Sequence, residues 1–429
     1  MKAHIISIGN ELLIGDTINT NAAWLGEFLT GMGFDVKLVQ TISDEADLIK
    51  ESITQSMEKA DLVISTGGLG PTHDDITKKA VAELFDVGFL RDEQTLEYIR
   101  SIFKKRNIPF SKSNYAQAEV PKNAEVLFNK AGTAPGMLFK ENGSVLVVLP
   151  GVPHEMKYLM KKRAAPKLRE IFGDLQFVYF HYIKTAGIGE STLSDEVLGD
   201  LSEYFTNGVS LAFLPSGGGV NLRLTATGKT KEEAKGNLND LSELIYTKAK
   251  KYIYGEGKDY SISEAVGDLL YEQGKYISVA ESCTGGLVAN TFTDVPGSSR
   301  YFQGGIIAYD NAVKHQQLGV AEDDLLQFGA VSKPVALQMA KGVAERLGTS
   351  IGISTTGIAG PDGGTDEKPV GTVWMGFYQQ DGAHFAVKTV FTKDRLMNKQ
   401  RTMMVLMEIT RRVLKGIPEM PYDLEKQYP

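Results

Sequence analysis

Residues 61–75 read Asp-Leu-Val-Ile-Ser-Thr-Gly-Gly-Leu-Gly-Pro-Thr-His-Asp-Asp. A short apolar run, 61–66, has the composition of a buried strand. It breaks into a glycine cluster, and a helical pattern follows over 74–85. The same alternation repeats on either side. Strand 3–8 precedes helix 20–33, in which Trp24, Leu25, Phe28, Leu29 and Met32 recur at helical spacing. Strand 36–42 precedes helix 45–58, and strand 145–150 precedes a helix that starts near His154. Strands alternating with helices imply a parallel sheet with helices on its faces, here closing near residue 170.

The chain has 429 residues, 42% hydrophobic and 23% charged, with net charge −7 and one cysteine. That apolar share fits globular domains and argues against disorder, and no solenoid repeat is visible. A lone cysteine excludes an intrachain disulfide framework and a paired-cysteine zinc or redox site. The mild acidity argues against a general nucleic-acid binder. No signal-peptide pattern is visible, and no apolar run reaches the roughly 18 residues of a membrane span. The expectation is a cytoplasmic protein.

Two further segments follow. Residues 177–185 read as a strand, with a helix near 190–204 after Gly187-Ile188-Gly189-Glu190. Strands 209–214 and 220–227 form a hairpin around Pro-Ser-Gly-Gly-Gly, with Leu222, Leu224 and Ala226 on one side. A charged helix, 230–250, completes a small α+β domain. The third segment opens with a capping box, Ser261 and Glu264, at helix 262–272. Strand 276–280, strand 305–308, a helix capped by Ser332, strands 350–355, 370–378 and 384–391, and a helix over 394–415 give a second α/β unit. The tail beyond Gly416 carries two prolines and reads as loose.

Chemistry concentrates after the strands. In an open parallel sheet, ligands bind at the carboxyl ends of strands. Gly9–Asp16 and Thr66–Asp75 both fall there. Glycines let backbone N–H groups approach an anion, and a helix N-terminus adds positive potential. Asp74 and Asp75 suit a hard cation bridging phosphate oxygens. They equally suit helix capping, as does Thr72, and spacing alone does not choose. No P-loop Lys follows the glycines. His73 by itself is a helix-start or hydrogen-bonding residue rather than a ligand.

In the third segment, strand 276–280 runs into Glu281-Ser282-Cys283-Thr284-Gly285-Gly286 and then a helix. Such a turn displays a nucleophile, with helix N–H groups as an oxyanion hole. Cys283 is intrinsically the strongest nucleophile, yet a buried cysteine is commonly inert and only His315 and His384 are at hand as histidine bases. Lys314, after Tyr309, could activate a serine if desolvated, or could be an ordinary surface lysine. Thr355–Gly364 is a glycine-rich loop that could cradle an anion or form a lid. Lys393, Arg395, Lys399 and Arg401 crowd the start of the last helix, where cations oppose the dipole unless an anion binds.

These motifs resemble those of the CinA family (competence/damage-inducible protein A). GNELLIGDTINTN (9–21), STGGLGPTHDD (65–75) and LPGVPHEM (149–156) are similar to its N-terminal domain. AESCTGG (280–286), YDNAVKHQQLGV (309–320), GAVS (329–332) and TTGIAGPDGGTDEKPVGTVW (355–374) follow its C-terminal domain in order.

The resemblance implies three domains. Residues 1–170 form a molybdopterin-binding-like, parallel-sheet ADP-ribose pyrophosphatase domain. Residues 175–256 form a KH-like connector, and 258–416 an α/β amidohydrolase domain. It further implies hydrolysis of nicotinamide mononucleotide (NMN) to nicotinate mononucleotide and ammonia by the C-terminal domain, without a cofactor. The N-terminal domain would hydrolyse ADP-ribose to AMP and ribose 5-phosphate with a divalent cation (Mg²⁺, Co²⁺ or Mn²⁺) and with K⁺ as an additional ion.

By motif position, Ser282 is the nucleophile and Lys314 with Tyr309 the activating pair. Thr284, Gly285, Gly357 and Gly360 hold the oxyanion or phosphate, and Arg401, or else Arg395 or Lys399, grips the NMN phosphate. In the first domain Asp74 and Asp75 serve catalysis and metal. Glu11, Asp16, Asn21, Thr66, Gly67, Gly68, Gly70, Thr72, Pro150, Gly151 and Pro153 complete that site. A homodimer is implied, with no membrane and no nucleic-acid partner. The alternatives are a nucleotide-sensing or scaffold protein in competence or DNA repair, and, for the first domain, molybdopterin-type nucleotide transfer.

Overall fold

The computed structural model describes residues 1–429 apart from 71, 73, 74, 106, 108, 111, 174, 207 and 393 and the side chains of 112 and 113. The chain forms two compact units, residues 1–179 with 226–237, and residues 180–225 with 238–429.

The first unit carries β1 (Lys2–Ile8), β2 (Asp35–Ile42), β3 (Leu62–Thr66), β4 (Phe89–Arg91), β5 (Glu119–Pro121), β6 (Glu125–Leu127), β7 (Gly136–Glu141) and β8 (Ser144–Leu149). Its main sheet has the order β2-β1-β3-β8-β7-β6, and β4 pairs with β5 separately. The first four are mutually parallel, while β7 and β6 run antiparallel. The strands bury both faces. Val145, Val147 and Leu149 pack with Leu25, Leu29 and Met156. Leu146 and Val148 pack with Ile49, Ile53 and Val81. Such two-sided strands require helices on both sides. Helices Thr20–Gly31 and Pro153–Leu159 cover one face, and Ala46–Lys59 and Thr77–Leu84 the other.

The sheet is thus mixed rather than wholly parallel. Its antiparallel edge falls in a stretch where β6 is only three residues long, too short for a clear period. The helix expected over 74–85 starts at Thr77, and its N-cap, Ile76, makes no side-chain cap bond. Asp75 instead accepts from the Thr72 N–H at 2.9 Å. Capping therefore does not account for Asp75.

The second unit contains two sheets. β9 (Phe177–Thr185), β10 (Ser210–Ser216), β11 (Gly219–Gly228) and β12 (Ile253–Glu256) take the order β10-β11-β9-β12. The helix expected over 190–204 is a seven-residue π-helical turn, Thr192–Leu198, followed by the 3₁₀ turn Ser202–Tyr204. Gly199, at φ +71°, ends the first and prevents a continuous helix. The helix expected over 230–250 divides into Lys231–Gly236, which falls in the first unit, and Asn239–Lys248, in the second.

The other sheet has β13 (Ile277–Glu281), β14 (Phe302–Ile307), β15 (Ile351–Gly357), β16 (Thr372–Gln379) and β17 (His384–Val390) in the order β14-β13-β15-β16-β17. The first three are parallel and the last two antiparallel. Helices Ile262–Glu272, Leu287–Thr293 and Arg395–Leu414 share one core with Ile277, Val279, Ile351 and Ile353. The Ser261–Glu264 capping box is formed. Helix Lys333–Leu347 covers the opposite face. It lies so close that a Cβ on Gly352 would sit 2.0 Å from the Ala340 carbonyl oxygen. Ser332 stands at its N-cap position, but its hydroxyl donates to Gly329 O at 2.8 Å.

No helix among the described residues is long and apolar enough to cross a membrane.

The last helix is pinned by a buried ion cluster. Glu408 accepts from Arg411 Nε and from Arg412 Nε, each at 2.7 Å, with all three side chains at most 1% exposed. Arg411 also donates to the carbonyls of Ile253 and Lys251, at 3.2 and 2.7 Å. Removing the shared carboxylate would leave two guanidinium groups buried without their anion. Glu408→Ala is expected to destabilise the second unit by about 3–5 kcal/mol, read by urea denaturation. A loss below ~1 kcal/mol would show that solvent already compensates the arginines.

Candidate active sites

In the first unit, the turns after β1, β3 and β8 border one cavity of ≈ 440 Å³. Three bonds stitch these turns together. Thr66 Oγ1 donates to Pro150 O at 2.9 Å, Gly67 N to Leu149 O at 3.1 Å, and Asn21 Nδ2 to Gly151 O at 2.7 Å. Gly67 has φ +117°, and a Cβ there would lie 2.0 Å from Ile8 O, so only glycine fits.

Four carboxylates, Glu11, Asp44, Asp75 and Glu155, line the cavity, and no Lys or Arg is among its described lining residues. Asp75 takes both the N–H and the hydroxyl of Thr72. Glu155 accepts from Asn129 Nδ2 at 2.6 Å, and burial holds its carboxyl above the usual range. Ser7 and Asn21 also line the cavity, and Ser7 Oγ and Asn21 Oδ1 are buried without a partner. Behind the loop, Lys78 donates to the carbonyls of Ala116 and Gln117, and Gln117 Nε2 donates to Leu69 O. Burial lowers Lys78 to about 8.

Of the expected residues, the cavity brings together Glu11, Asn21, Thr66, Gly67, Gly68, Gly70, Asp75, Pro150, Gly151 and Pro153. Thr72 acts through Asp75, and Asp16 is exposed and does not line the cavity. Asp74 and His73 lie outside the described residues. Ser7, Asp44 and Glu155 escaped the sequence reading. Glu155 does sit inside the LPGVPHEM stretch, and a carboxylate one turn into a helix after a strand-end Pro-Gly was the available signal.

In the second unit, a cavity of ≈ 220 Å³ lies at the carboxyl ends of β13, β14 and β15. Ser282 and Cys283 come from the first turn, Tyr309, Asn311 and Lys314 from the second, Thr356 and Gly357 from the third, and Arg395 from the last helix. The turn is held by Glu281, whose side chain is 1% exposed. Its carboxylate accepts the N–H groups of Gly286, Val288 and Ala289 at 2.9, 3.1 and 2.7 Å. Those helix amides are therefore not an oxyanion hole, contrary to the expectation from the motif. Gly285 N donates to Ser282 O, also within the turn. Among the described residues of this turn, no backbone carbonyl takes the Cys283 or Thr284 amide.

The Ser282 hydroxyl lines the cavity and makes no hydrogen bond among the described residues. Lys314 is 1% exposed, and its ammonium donates to the Tyr309 carbonyl at 2.9 Å. Burial lowers its pKa, with Asp310 and then Cys283 opposing. The lysine is thus no solvated surface residue. Burial pushes the Cys283 thiol up to about 12, so no thiolate forms near neutrality. The Tyr309 phenol faces Arg395 Nη2 at 3.0 Å, while Arg395 Nη1 donates to Gly360 O at 2.8 Å. Tyr309 therefore gives Lys314 its carbonyl and Arg395 its phenol.

The structure sets several expected residues apart from this cavity. The Thr284 hydroxyl is buried against Thr355 Oγ1 at 2.7 Å. Gly360 acts through Arg395, and Gly285 lies beneath the Lys399 ammonium, 3.6 Å from the place of a Cβ. Arg401 lines a different cavity altogether. Lys393 lies outside the described residues. Glu281 was missed because its partners are backbone groups that no motif displays.

Two strand-end pockets, one acidic and one presenting a serine with a buried lysine, on a chain with a small α+β segment between them, define a multidomain α/β protein. Three family models match: "Probable molybdopterin binding domain" over 4–170, "Damage-inducible protein CinA KH domain" over 181–255 and "CinA C-terminal domain" over 259–414. A CinA-like protein of Chloroherpeton thalassium is 40% identical over 423 residues, covering 97% of this chain and 100% of that one. Another from Salinibacter ruber is 42% identical over 415 residues, covering 96% and 100%. A crystal structure of CinA from Thermoplasma acidophilum is 37% identical, covers 40% of this chain and 97% of that one, and has a TM-score of 0.36. The chain belongs to the CinA family.

With its thiol held protonated and buried, Cys283 should resist iodoacetamide at pH 7.5 in the folded protein and react fully in 6 M guanidinium. Mass spectrometry reads the adduct. Rapid labelling of the folded protein would mean that the thiol is activated and that the nucleophile needs reassigning.

Proposed function

We propose that the protein is a bifunctional pyridine-nucleotide hydrolase. The observation that carries this reading is the meeting of Ser282, buried Lys314 and Arg395 in one small cavity. An amide hydrolase needs a nucleophile, a proton carrier and an oxyanion site, and a phosphorylated substrate needs an anion clamp. NMN supplies both the amide and the phosphate.

In the second unit, Ser282 Oγ attacks the carboxamide carbon of NMN while Lys314 Nζ takes the hydroxyl proton. The amide of Cys283, on the turn that lines the cavity, would face the developing oxyanion. Lys314 returns the proton to the departing nitrogen, which leaves as ammonia. Water then cleaves the Ser282 ester and releases nicotinate mononucleotide. Arg395, at the pocket's exposed rim, grips the phosphate in place of Arg401.

The first unit's reaction is hydrolysis of ADP-ribose to AMP and ribose 5-phosphate. A pyrophosphate entering a cavity lined by four carboxylates and no described Lys or Arg is repelled unless a cation accompanies it. Oxygen donors suit a hard divalent ion, although no group of three or more metal-ligating side chains stands ready among the described residues. Mg²⁺-type ions commonly use one or two carboxylates plus substrate phosphates, so the donor set fits. Asp75 and Glu11 would hold the ion, with Asp44 beside them. Such an ion neutralises pyrophosphate charge and makes water a better nucleophile. Glu155, with Asn129 fixing one carboxylate oxygen, would accept the water's proton on the other.

Four variants separate the roles. Ser282→Ala is expected to abolish ammonia release from NMN, whereas Cys283→Ala keeps it, measured by a coupled ammonia assay. Loss in the cysteine variant alone would overturn the choice of serine. Lys314 must be neutral to act as base, so kcat should rise with pH through its lowered pKa. Lys314→Arg stays protonated and should lose roughly 10²–10⁴-fold. Glu155→Gln should lower AMP release from ADP-ribose with Mg²⁺ by roughly 10²–10⁴-fold, with ammonia release from NMN as the internal folding control. An unchanged AMP yield would remove Glu155 from the reaction.

A further inference from the structure

Three stretches singled out by sequence find no place in either reaction pocket: the Gly187–Glu190 turn, the 215–219 hairpin tip and Arg401. The fold brings all three to one cavity of ≈ 320 Å³ within the second unit. That size is at the lower end of small-molecule pockets, roughly 300–1,000 Å³.

Its floor is apolar, formed by Val220, Phe391, Val405 and Leu424. Its mouth is polar, with exposed Glu190 and Ser216. Half-buried Arg401 points no hydrogen bond or ion pair at any described residue, although it lines this lumen. Five guanidinium donors left unpaired beside an apolar wall call for an anion.

The glycines support a lumen kept open for an occupant. Gly218 and Gly219 are required by packing, since a Cβ would lie 2.5 Å from Met404 and 2.1 Å from Thr185 O. Gly189 and Gly217 have no such need. A Cβ on either meets nothing within 4 Å, and neither has a positive φ. Glycine at such positions gives up stability without a packing return. What it preserves is empty volume at the mouth.

We infer that this cavity binds a nucleoside monophosphate, with the phosphate on Arg401, the ribose hydroxyls on Glu190 and the base against Phe391, Val405 and Leu424. A guanidinium fork matches a phosphate, a carboxylate matches a vicinal diol, and an apolar wall with the rings of Phe391 and Tyr422 takes a planar base. The site is distinct from both reaction pockets. Its occupant touches the helix Arg395–Leu414, whose first residue is the NMN phosphate clamp of the proposed reaction.

Hydrogen exchange read by mass spectrometry on the full chain locates the ligand. AMP is the probe, and adenosine the control without phosphate. At ten times its Kd, AMP should slow exchange in 186–191 and 215–220 about tenfold, as a bound fraction of that size requires. Adenosine should leave both segments unchanged. Arg401→Gln should abolish this slowing while any AMP effect near 66–75, in the other unit, persists. If Arg401→Gln melts early, Gly217→Val, which fills the mouth from an exposed hairpin tip, gives the same reading. Slowing confined to 66–75, or slowing of 186–191 and 215–220 that survives both substitutions, would overturn the proposal.

Discussion

The second unit depends on a carboxylate, Glu408, held between Arg411 and Arg412 out of contact with water. Burying three charges is favourable only if each is paired and its remaining donors are satisfied. The cluster meets most of that demand by reaching outside its own helix. Arg411 donates to carbonyls just before and in β12, and Arg412 to Glu419 O at 3.1 Å. The long helix is therefore locked in rotation and in depth. Arg395 stands at its far end, thirteen residues from Glu408, roughly four turns away. The position of Arg395 in the cavity with Ser282 and Lys314 follows from a cluster that never touches it.

The two reaction pockets share a plan and differ in sign. Each lies where parallel strands end, and each is made of three turns bonded to one another rather than of one motif. In the first, Thr66, Gly67 and Asn21 fasten neighbouring turns, and carboxylates face inward. In the second, Glu281 takes up the first amides of helix Leu287–Thr293, and a lysine and an arginine face inward. An acidic pocket favours a substrate that arrives with a cation. A basic one favours a bare phosphate ester. The same architecture would suit both proposed hydrolyses because the charge of the lining is set independently of the backbone.

Some of this was legible in the sequence for a local reason. Strand periodicity and the glycine clusters after 61–66, 276–280 and 350–355 are properties of short stretches, and they put the pockets at the correct strand ends. Asp75 and Ser282 could be named because they lie inside those stretches, and Lys314 because it follows the strand read over 305–308. Arg401 could not be separated from Arg395 as the residue nearest Ser282, since a helix start crowded with cations does not reveal which face each occupies. Arg395 and Arg401 are six residues apart and point into different cavities. Residues 86–141 gave no clear pattern, because strands of three residues and an antiparallel return leave too short a period to read.

The sequence by itself determined the order of α/β, α+β and α/β segments, the strand-end turns and the residue types available for chemistry. Local propensity and periodicity act over a few residues, and that is all these features require. Tertiary structure alone decided which of those residues meet. It buried Cys283 and pushed its thiol up, made Lys314 a candidate base by burial as well, and diverted the helix amides to Glu281. It also added Glu155 to the first cavity, beside Asn129, twenty-six residues earlier in the chain. Burial and pairing are properties of packed surfaces from distant segments. Desolvation, not residue type, sets the protonation state on which each proposed role rests.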